Sequence, residues 1–370
     1  MTSIPLGERQ PVDIGAIEKD LAALWKQPLG GDSQRAQITR SCVMTLIAVV
    51  SGQREANEVT SAIIQMTDRF PNRTIVIDAQ PESGGESLEA WAQVSCQVPA
   101  AGSTQICCEQ IAIEARGAGV GRVPGAVLPL LVPDVPVVVW WPRSAPLGTP
   151  LFERLNAMAD RVIIDSALID EPEGQIGGLL AKFGKGRAIS DLAWGRLTPW
   201  RELTAQFFDT PSAVSHLSEI TDVAVHYRSR PDGTVDRLQP LLFIGWLASK
   251  LGWRTAECAE CNRDTSMKLQ RPDGGMVRVS LAAIPGDLRH DEQIEGVVMH
   301  CDHASYQISR EGERADGVIV ATREGELAPL RRVVHLEQVD LLKLLAEELR
   351  QFGRDLGYEQ ALGAAAAMVA

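Results

Sequence analysis

The residues best equipped for chemistry are two cysteines and two histidines set far apart. Cys258-x-x-Cys261 and His300-x-x-His303 together offer two thiolates and two imidazoles, the donor set of a tetrahedral zinc. The histidines fall in a segment read as strand, however, where odd spacing sends side chains to opposite faces, and the gap between the pairs exceeds that of zinc fingers. Half-buried thiols and polar strand residues are the competing reading, and no metal is expected. As a redox pair, Cys258 and Cys261 lack the strand-then-helix setting of thioredoxin-type motifs. Adjacent Cys107 and Cys108 on a strand point to opposite faces and form a bond to each other only with difficulty. These four cysteines are the candidates for thiol switching. Gly117-Ala118-Gly119-Val120-Gly121 approximates a dinucleotide loop, but its third glycine comes one residue early and Pro124 stands where the helix should open. A strand-to-helix turn is the reading, with no cofactor. The chain contains no Gly-x-Ser-x-Gly, Ser-x-x-Lys, His-Glu-x-x-His or Walker-type loop.

The elements that would position these groups change character along the chain. Asp13 caps an amphipathic helix carrying Ile14, Ile17, Leu21, Leu24 and Trp25. An apolar strand over Cys42–Val50, a helix over Ala56–Phe70 stopped by Pro71, and a β-branched run from Thr74 to Ile77 make a βαβ unit. Trp91–Val98 and Ile106–Ala115 read as paired antiparallel strands. Val135–Trp141, a helix over Phe152–Ala159 and Arg161–Asp165 make a second strand-helix-strand unit. Ile169–Arg187, rich in glycine, reads as the boundary. Beyond it come a helix over Leu192–Phe208, a strand over Val223–Arg228, an apolar helix over Leu238–Leu251, short alternating strands from Thr255 to Val320, and an amphipathic helix over Val339–Phe352. Ala364–Ala367 reads as low complexity. The expected fold is α/β: an N-terminal mixed sheet flanked by helices (1–175) and a C-terminal α+β domain with an antiparallel sheet (188–370).

The 370 residues hold 36 basic and 48 acidic side chains, a formal charge of −12, with no basic run to offset it. Nucleic acid and anionic membranes are therefore not expected partners. The most apolar stretch, Val123–Trp141, contains Pro124, Pro129, Pro133 and Pro136 with Asp134, which a spanning helix would not tolerate. With no secretory pattern at the start and seven cysteines, an odd number, the expectation is a reduced, cytosolic protein.

If the first strands are parallel, their carboxyl ends gather Ser51, Asp78, Arg143, Asp165 and Ser166 along the edge where open α/β sheets bind ligands. Ser51, Arg143, Asp165 and Ser166 suit a polar or phosphorylated small molecule better than acid–base catalysis, and a phosphosugar sensor is the alternative function. Eight tryptophans are many for this chain. Trp140, Trp141, Trp194, Arg196, Trp200 and Arg201 cluster as binding hot spots do, at or beneath a contact surface. Core packing is the competing reading.

At these clusters the sequence resembles the glucose-6-phosphate dehydrogenase assembly protein OpcA family of cyanobacteria and actinobacteria. The resemblance lies in Cys42–Val50, Phe70–Ile77, Cys108–Ile111, Pro129–Pro136 leading into Trp140-Trp141, Asp160–Ser166, Asp191–Leu203, Gly245–Trp253 and Tyr358–Leu362. Where the family pattern reads His-Pro-Ser-Arg, this chain has Phe70-Pro71-Asn72-Arg73. The resemblance implies a non-catalytic partner that binds the dehydrogenase of the oxidative pentose phosphate pathway and favours its active oligomer, as an allosteric activator. It also implies possible redox regulation, as in some cyanobacterial members.

Overall fold

The computed structural model describes residues 2–3, 10–11, 13–24, 38–40, 42–97, 105–169, 172–183, 188–228, 236–260, 264–285, 294–310, 317–325, 328–336, 340–351 and 353–369. It is α/β, and the chain forms two units, each drawn from several segments. The first comprises 1–165, 187–190 and 345–354, the second 166–186, 191–344 and 355–370.

The first unit is built on one mixed sheet. Short strands β1 (Thr2–Ser3), β2 (Gln10–Pro11) and β3 (Ile38–Arg40) decorate its edge. The principal strands are β4 (Met44–Val50), β5 (Asn72–Gln80), β6 (Glu86–Gln97), β7 (Gln105–Gly117), β8 (Val137–Trp140), β9 (Arg161–Ile164) and β10 (Ala188–Asp191). Their order, β6-β7-β5-β4-β8-β9-β10, contains the doubly wound sequence, with β7, β5, β4, β8 and β9 mutually parallel along the path and β6 antiparallel on β7. The order reverses between β4 and β8. Every residue of β4 is buried, as an apolar strand covered on both faces must be. Helix α1 (Ile14–Leu24), whose Ala16 amide donates to Asp13, lies on β6. Helix α2 (Gln53–Met66) follows β4, and α3 (Val123–Val127) and α4 (Pro150–Asn156) flank β8.

The glycine-rich segment read as the boundary contains a helix, α5 (Pro172–Phe183), with Ile176 and Leu179 buried. Gly174, Gly177 and Gly178 have open space where a Cβ would stand, so burial of the apolar face overrides their weak propensity. The helix expected over Leu192–Phe208 is two, α6 (Leu192–Arg196) and α7 (Thr198–Gln206), with Pro199 in the first turn of the second.

The second unit continues with α8 (Pro211–Ser215), β11 (Ile220–Arg228) and α9 (Leu238–Leu251), ended by Gly252 in the left-handed region. Strands β12 (Arg254–Glu260), β13 (Asp264–Gln270), β14 (Met276–Ile284), β15 (Ile294–Cys301), β16 (Ala304–Arg310), β17 (Gly317–Glu324) and β18 (Leu330–His335) complete its sheet. The order is β12-β13-β14-β11-β15-β16-β17-β18, antiparallel except for β11 with β14. Within α10 (Leu341–Arg350) the chain passes from the second unit back to the first. The alanine run lies in α11 (Leu356–Val369), which packs on α9 so closely that a Cβ on Gly245 would stand 2.2 Å from the Ala361 carbonyl oxygen. Small residues there allow two backbones to meet. Among the described residues no helix is long and apolar enough to cross a membrane.

Candidate functional site

A doubly wound sheet binds ligands where its strand order reverses, at the carboxyl ends of β4 and β8. A cavity of about 750 Å³ lies there, between Val49–Ser51, the 117–121 turn and the 141–151 segment. Its chemistry follows from the turn after β4. Gly52, at φ 108°, takes a conformation that L side chains rarely adopt and opens α2. In a phosphate-binding turn the amides here face an anion. Here they face carboxylates of the same chain: Gly52 donates to Asp78 Oδ1 at 2.6 Å, and Ser51 donates to Glu55 Oε2 at 3.0 Å. Arg143 reaches over α2, 3.5 Å from Glu55 and 3.1 Å from Glu58.

The neighbouring wall explains the Gly-Ala-Gly-Val-Gly run. Cβ atoms on Gly117 and Gly119 would stand 2.0 Å from the Gly85 carbonyl oxygen and 2.1 Å from that of Ser87. These glycines let two backbones touch. A dinucleotide does not fit this site: its diphosphate would meet amides already bonded to Asp78 and Glu55, and more negative charge at Glu82.

Of the residues expected at the sheet edge, Ser51 and Arg143 line this cavity together, while Asp165 and Ser166 do not. Asp165 is buried. Ser166 donates from its amide (2.9 Å) and hydroxyl (2.6 Å) to Asp191, which also accepts from the Ala193 amide and, at 2.8 Å, from the Tyr358 hydroxyl. Asp191 is thus the hub of a buried polar network in the second unit.

The tryptophan clusters lie inside their units, beneath the surface and packed as core residues. Trp140, Trp141, Trp194 and Trp200 are all at most 3 % exposed, and Arg196 is buried. Trp141 donates from Nε1 to Asn156 at 3.0 Å and packs on Phe152 of α4. Trp194 donates to Asp355 at 2.9 Å and packs against Tyr358, with the guanidinium of half-buried Arg201 3.6 Å above its ring. The Arg310 guanidinium lies 5.6 Å from the Trp200 ring. A flat hydrophobic ring with one polar handle suits such buried positions; the handles of Trp141 and Trp194 find partners, while Trp140 Nε1 makes no hydrogen bond among the described residues.

Cys108 is buried and accepts from the Asn72 amide at 3.2 Å; burial pushes its thiol up to about 11, against thiolate formation. Cys107 lies in β7 and Cys258 in β12, and Cys261 lies outside the described residues. His300 is exposed near the end of β15 and His303 is exposed in the turn that follows. Among the described residues there is no cluster of metal-ligating groups.

Sequence reading missed a heavily bonded buried cation in the first unit. Arg73, 6 % exposed, donates from Nε (2.8 Å) and Nη2 (2.7 Å) to Glu109, its register partner on β7, and from Nη1 to Glu18 and the Leu130 carbonyl. Burial works against its charge, but Glu109 and Glu18 more than offset this and raise its pKa. Nothing in a single sequence links two residues 36 positions apart.

Family models align with both halves of the chain. One, described as the N-terminal domain of a glucose-6-phosphate dehydrogenase subunit, matches residues 64–180; another, described as the C-terminal domain, matches 187–362. A protein of Nostoc punctiforme, provisionally named OxPP cycle protein OpcA, is 29 % identical over 305 residues, covering 76 % of this chain and 62 % of its own length. The similarly named protein of Synechocystis sp. is 28 % identical over 270 residues, covering 70 % of this chain and 55 % of its own. The chain thus spans about three fifths of the length of these curated relatives. Among solved structures, the 3-ketoreductase KijD10 of Actinomadura kijaniata, in complex with NADP and TDP-benzene, superposes with a TM-score of 0.50 at 11 % identity, covering 89 % of this chain and 96 % of that one. That likeness is one of fold.

Proposed function

From the premise that the chain belongs to the glucose-6-phosphate dehydrogenase assembly family, OpcA, we propose that it is a non-catalytic partner which binds that dehydrogenase and favours its active oligomer. The observation that carries this reading is the pair of family models, named for the two domains of one dehydrogenase subunit, meeting almost end to end along the chain. The crevice after β4 supports it. In a fold shared with an NADP-bound reductase, the amides that would receive a diphosphate are taken by the chain's own Asp78 and Glu55.

A partner that binds one oligomeric or conformational state of an enzyme more tightly shifts the population by the difference in affinity. A hundredfold preference is about 2.7 kcal/mol. The buried Trp194–Arg201 segment acts as a scaffold beneath the contact face, with half-buried Arg201 nearest to it. The setting is cytosolic, where free thiols persist. If redox state tunes the interaction, Cys107, Cys258 or Cys261 is favoured over Cys108, whose thiol is held protonated.

The test measures dehydrogenase velocity against glucose 6-phosphate with and without excess of this chain, under reducing and oxidising conditions. Lower half-saturation or a higher maximal rate, with co-elution on a sizing column, is expected. No kinetic change and no co-elution would overturn the proposal.

A further inference from the structure

The β5–β7 crossing lacks a helix among the described residues. Instead the chain leaves β5 for β6, which runs antiparallel on the far side of β7. Beside α2, the face of these strands therefore stays polar while the opposite face is apolar. The register makes three cross-strand rows on the α2 side: Thr74–Gln110–Gln93, Val76–Ala112–Trp91 and Asp78–Glu114–Glu89. On the other face the same strands carry Ile75, Ile111 and Ala92, all buried.

Ala112 stands between Val76 and Trp91, and its missing volume leaves a hollow of about 320 Å³ roofed by Gln53, Asn57 and Thr60 of α2. That volume is at the lower end of the range for small-ligand sites, about 300–1,000 Å³. Its polar groups are unusual in kind. Gln110 is only 6 % exposed and gives its amide nitrogen to Thr60 at 2.9 Å, leaving its carbonyl oxygen without a side-chain partner among the described residues. Gln93 is half-buried and makes no side-chain hydrogen bond among them, and Asn57 uses only its oxygen, toward Gln53. The charged groups of the lining are both acidic, Asp78 and Glu114. Arg116, the nearest cation to Glu114, is bonded to that carboxylate and to Gln80.

The geometry points to a binding site for a neutral polyhydroxylated ligand of monosaccharide size, lying on the half-buried ring of Trp91 and hydrogen-bonded by carboxamides. Carboxamides offer a donor and an acceptor on one planar group, which matches a hydroxyl that both gives and accepts. An aromatic face takes the C–H face of a sugar ring without asking for a polar partner. The two carboxylates of the lining, Asp78 and Glu114, repel phosphate esters. The site is separate from the carboxyl-edge crevice and does not depend on dehydrogenase binding.

The full-length chain alone would be titrated with D-glucose, D-galactose, D-mannose and D-fructose, following tryptophan fluorescence and melting temperature, with glucose 6-phosphate and glucosamine as charged comparisons. Saturable binding of at least one neutral hexose and a raised melting temperature are expected, with weaker binding of its phosphate. Ala112→Leu fills the hollow without removing a polar group and should abolish binding while the protein still melts cooperatively. Gln110→Ala should weaken it about tenfold. No response to any neutral hexose would overturn the proposal. So would equal or tighter binding of the phosphate, or binding unchanged in Ala112→Leu.

Discussion

Strand β5 carries charge at both ends, and the two ends are built on opposite plans. At its amino end Arg73 and Glu109 are both buried, joined by two hydrogen bonds between register partners. At its carboxyl end Asp78 holds a turn amide, and the nearby pairs of Arg143 with Glu55 and Glu58 face water. A buried pair contributes little net stability over apolar side chains of equal volume, yet breaking it is costly, because one charge is left stranded. A solvated pair costs little to make or break. The amino end is thus a buried ion pair, while at the carboxyl end buried Asp78 is held by neutral donors and only the neighbouring ion pairs lie in solvent.

That contrast is most exposed by Glu109→Ala. Leaving the Arg73 guanidinium buried without its main partner should cost about 3–5 kcal/mol, read from the shift in urea midpoint. A loss below 1 kcal/mol would erase the distinction between the two ends. Next comes pH. Cys108, also at the amino end, has its thiol raised in the folded state to about 11, from an ordinary value of 9.0. Below pH 9 both states keep the proton and the group is neutral in effect. As pH climbs from about 9 through about 11 the unfolded chain releases it first, so stability should fall, by about 2–3 kcal/mol from this group. Cys108→Ala should flatten part of that slope; an identical slope in the variant would remove the thiol as its cause.

At the other end, Asp78→Ala frees the Gly52 amide and should cost about 1–2 kcal/mol. Combined with Glu55→Gln, it should also let the crevice take up inorganic phosphate, detected by thermal shift, where the parent chain shows no uptake. If the parent binds phosphate equally well, its carboxylates do not guard the amides. The smallest effect belongs to Arg143→Ala, whose exposed ion pairs should change stability by less than about 0.5 kcal/mol, a difference that added salt would shrink further.

Much of the first unit was legible because local rules and burial agree there. β-branched residues mark β5, and alternation over Trp91–Val98 and Ile106–Ala115 marks β6 and β7, while the helix expected over Ala56–Phe70 runs instead from Gln53 to Met66, short of Pro71. In Ile169–Arg187 local propensity was a poor guide: its glycines disfavour helix, whereas α5 is fixed by Ile176 and Leu179. The alanines of 364–367 favour helix, and their small size serves the close approach of α11 to Gly245. The crevice was half legible. Ser51 and Arg143 follow neighbouring strands and line one cavity, but Ser166 turns to Asp191, and no pattern within a single sequence announces a partner 25 residues away. Tryptophan content alone could not separate hot spot from core, since both uses draw on the same large ring with one polar atom. Segments 70–77 and 108–111, which carried much of the resemblance, turn out to face each other across β5 and β7.

The interrupted path of the chain sets a timetable for synthesis. Arg161, at the start of β9, is buried and bonds to Ser190 and to the Gly353 carbonyl, with Glu348 3.9 Å away. All three partners lie downstream. A nascent chain that has emerged only as far as residue 165 lacks these three groups, and the ribosome must deliver nearly two hundred further residues before the Gly353 carbonyl arrives, 192 positions beyond Arg161. The first unit is therefore begun early and closed late, so truncated products should expose its far edge to chaperones and proteases rather than persist as a free-standing half.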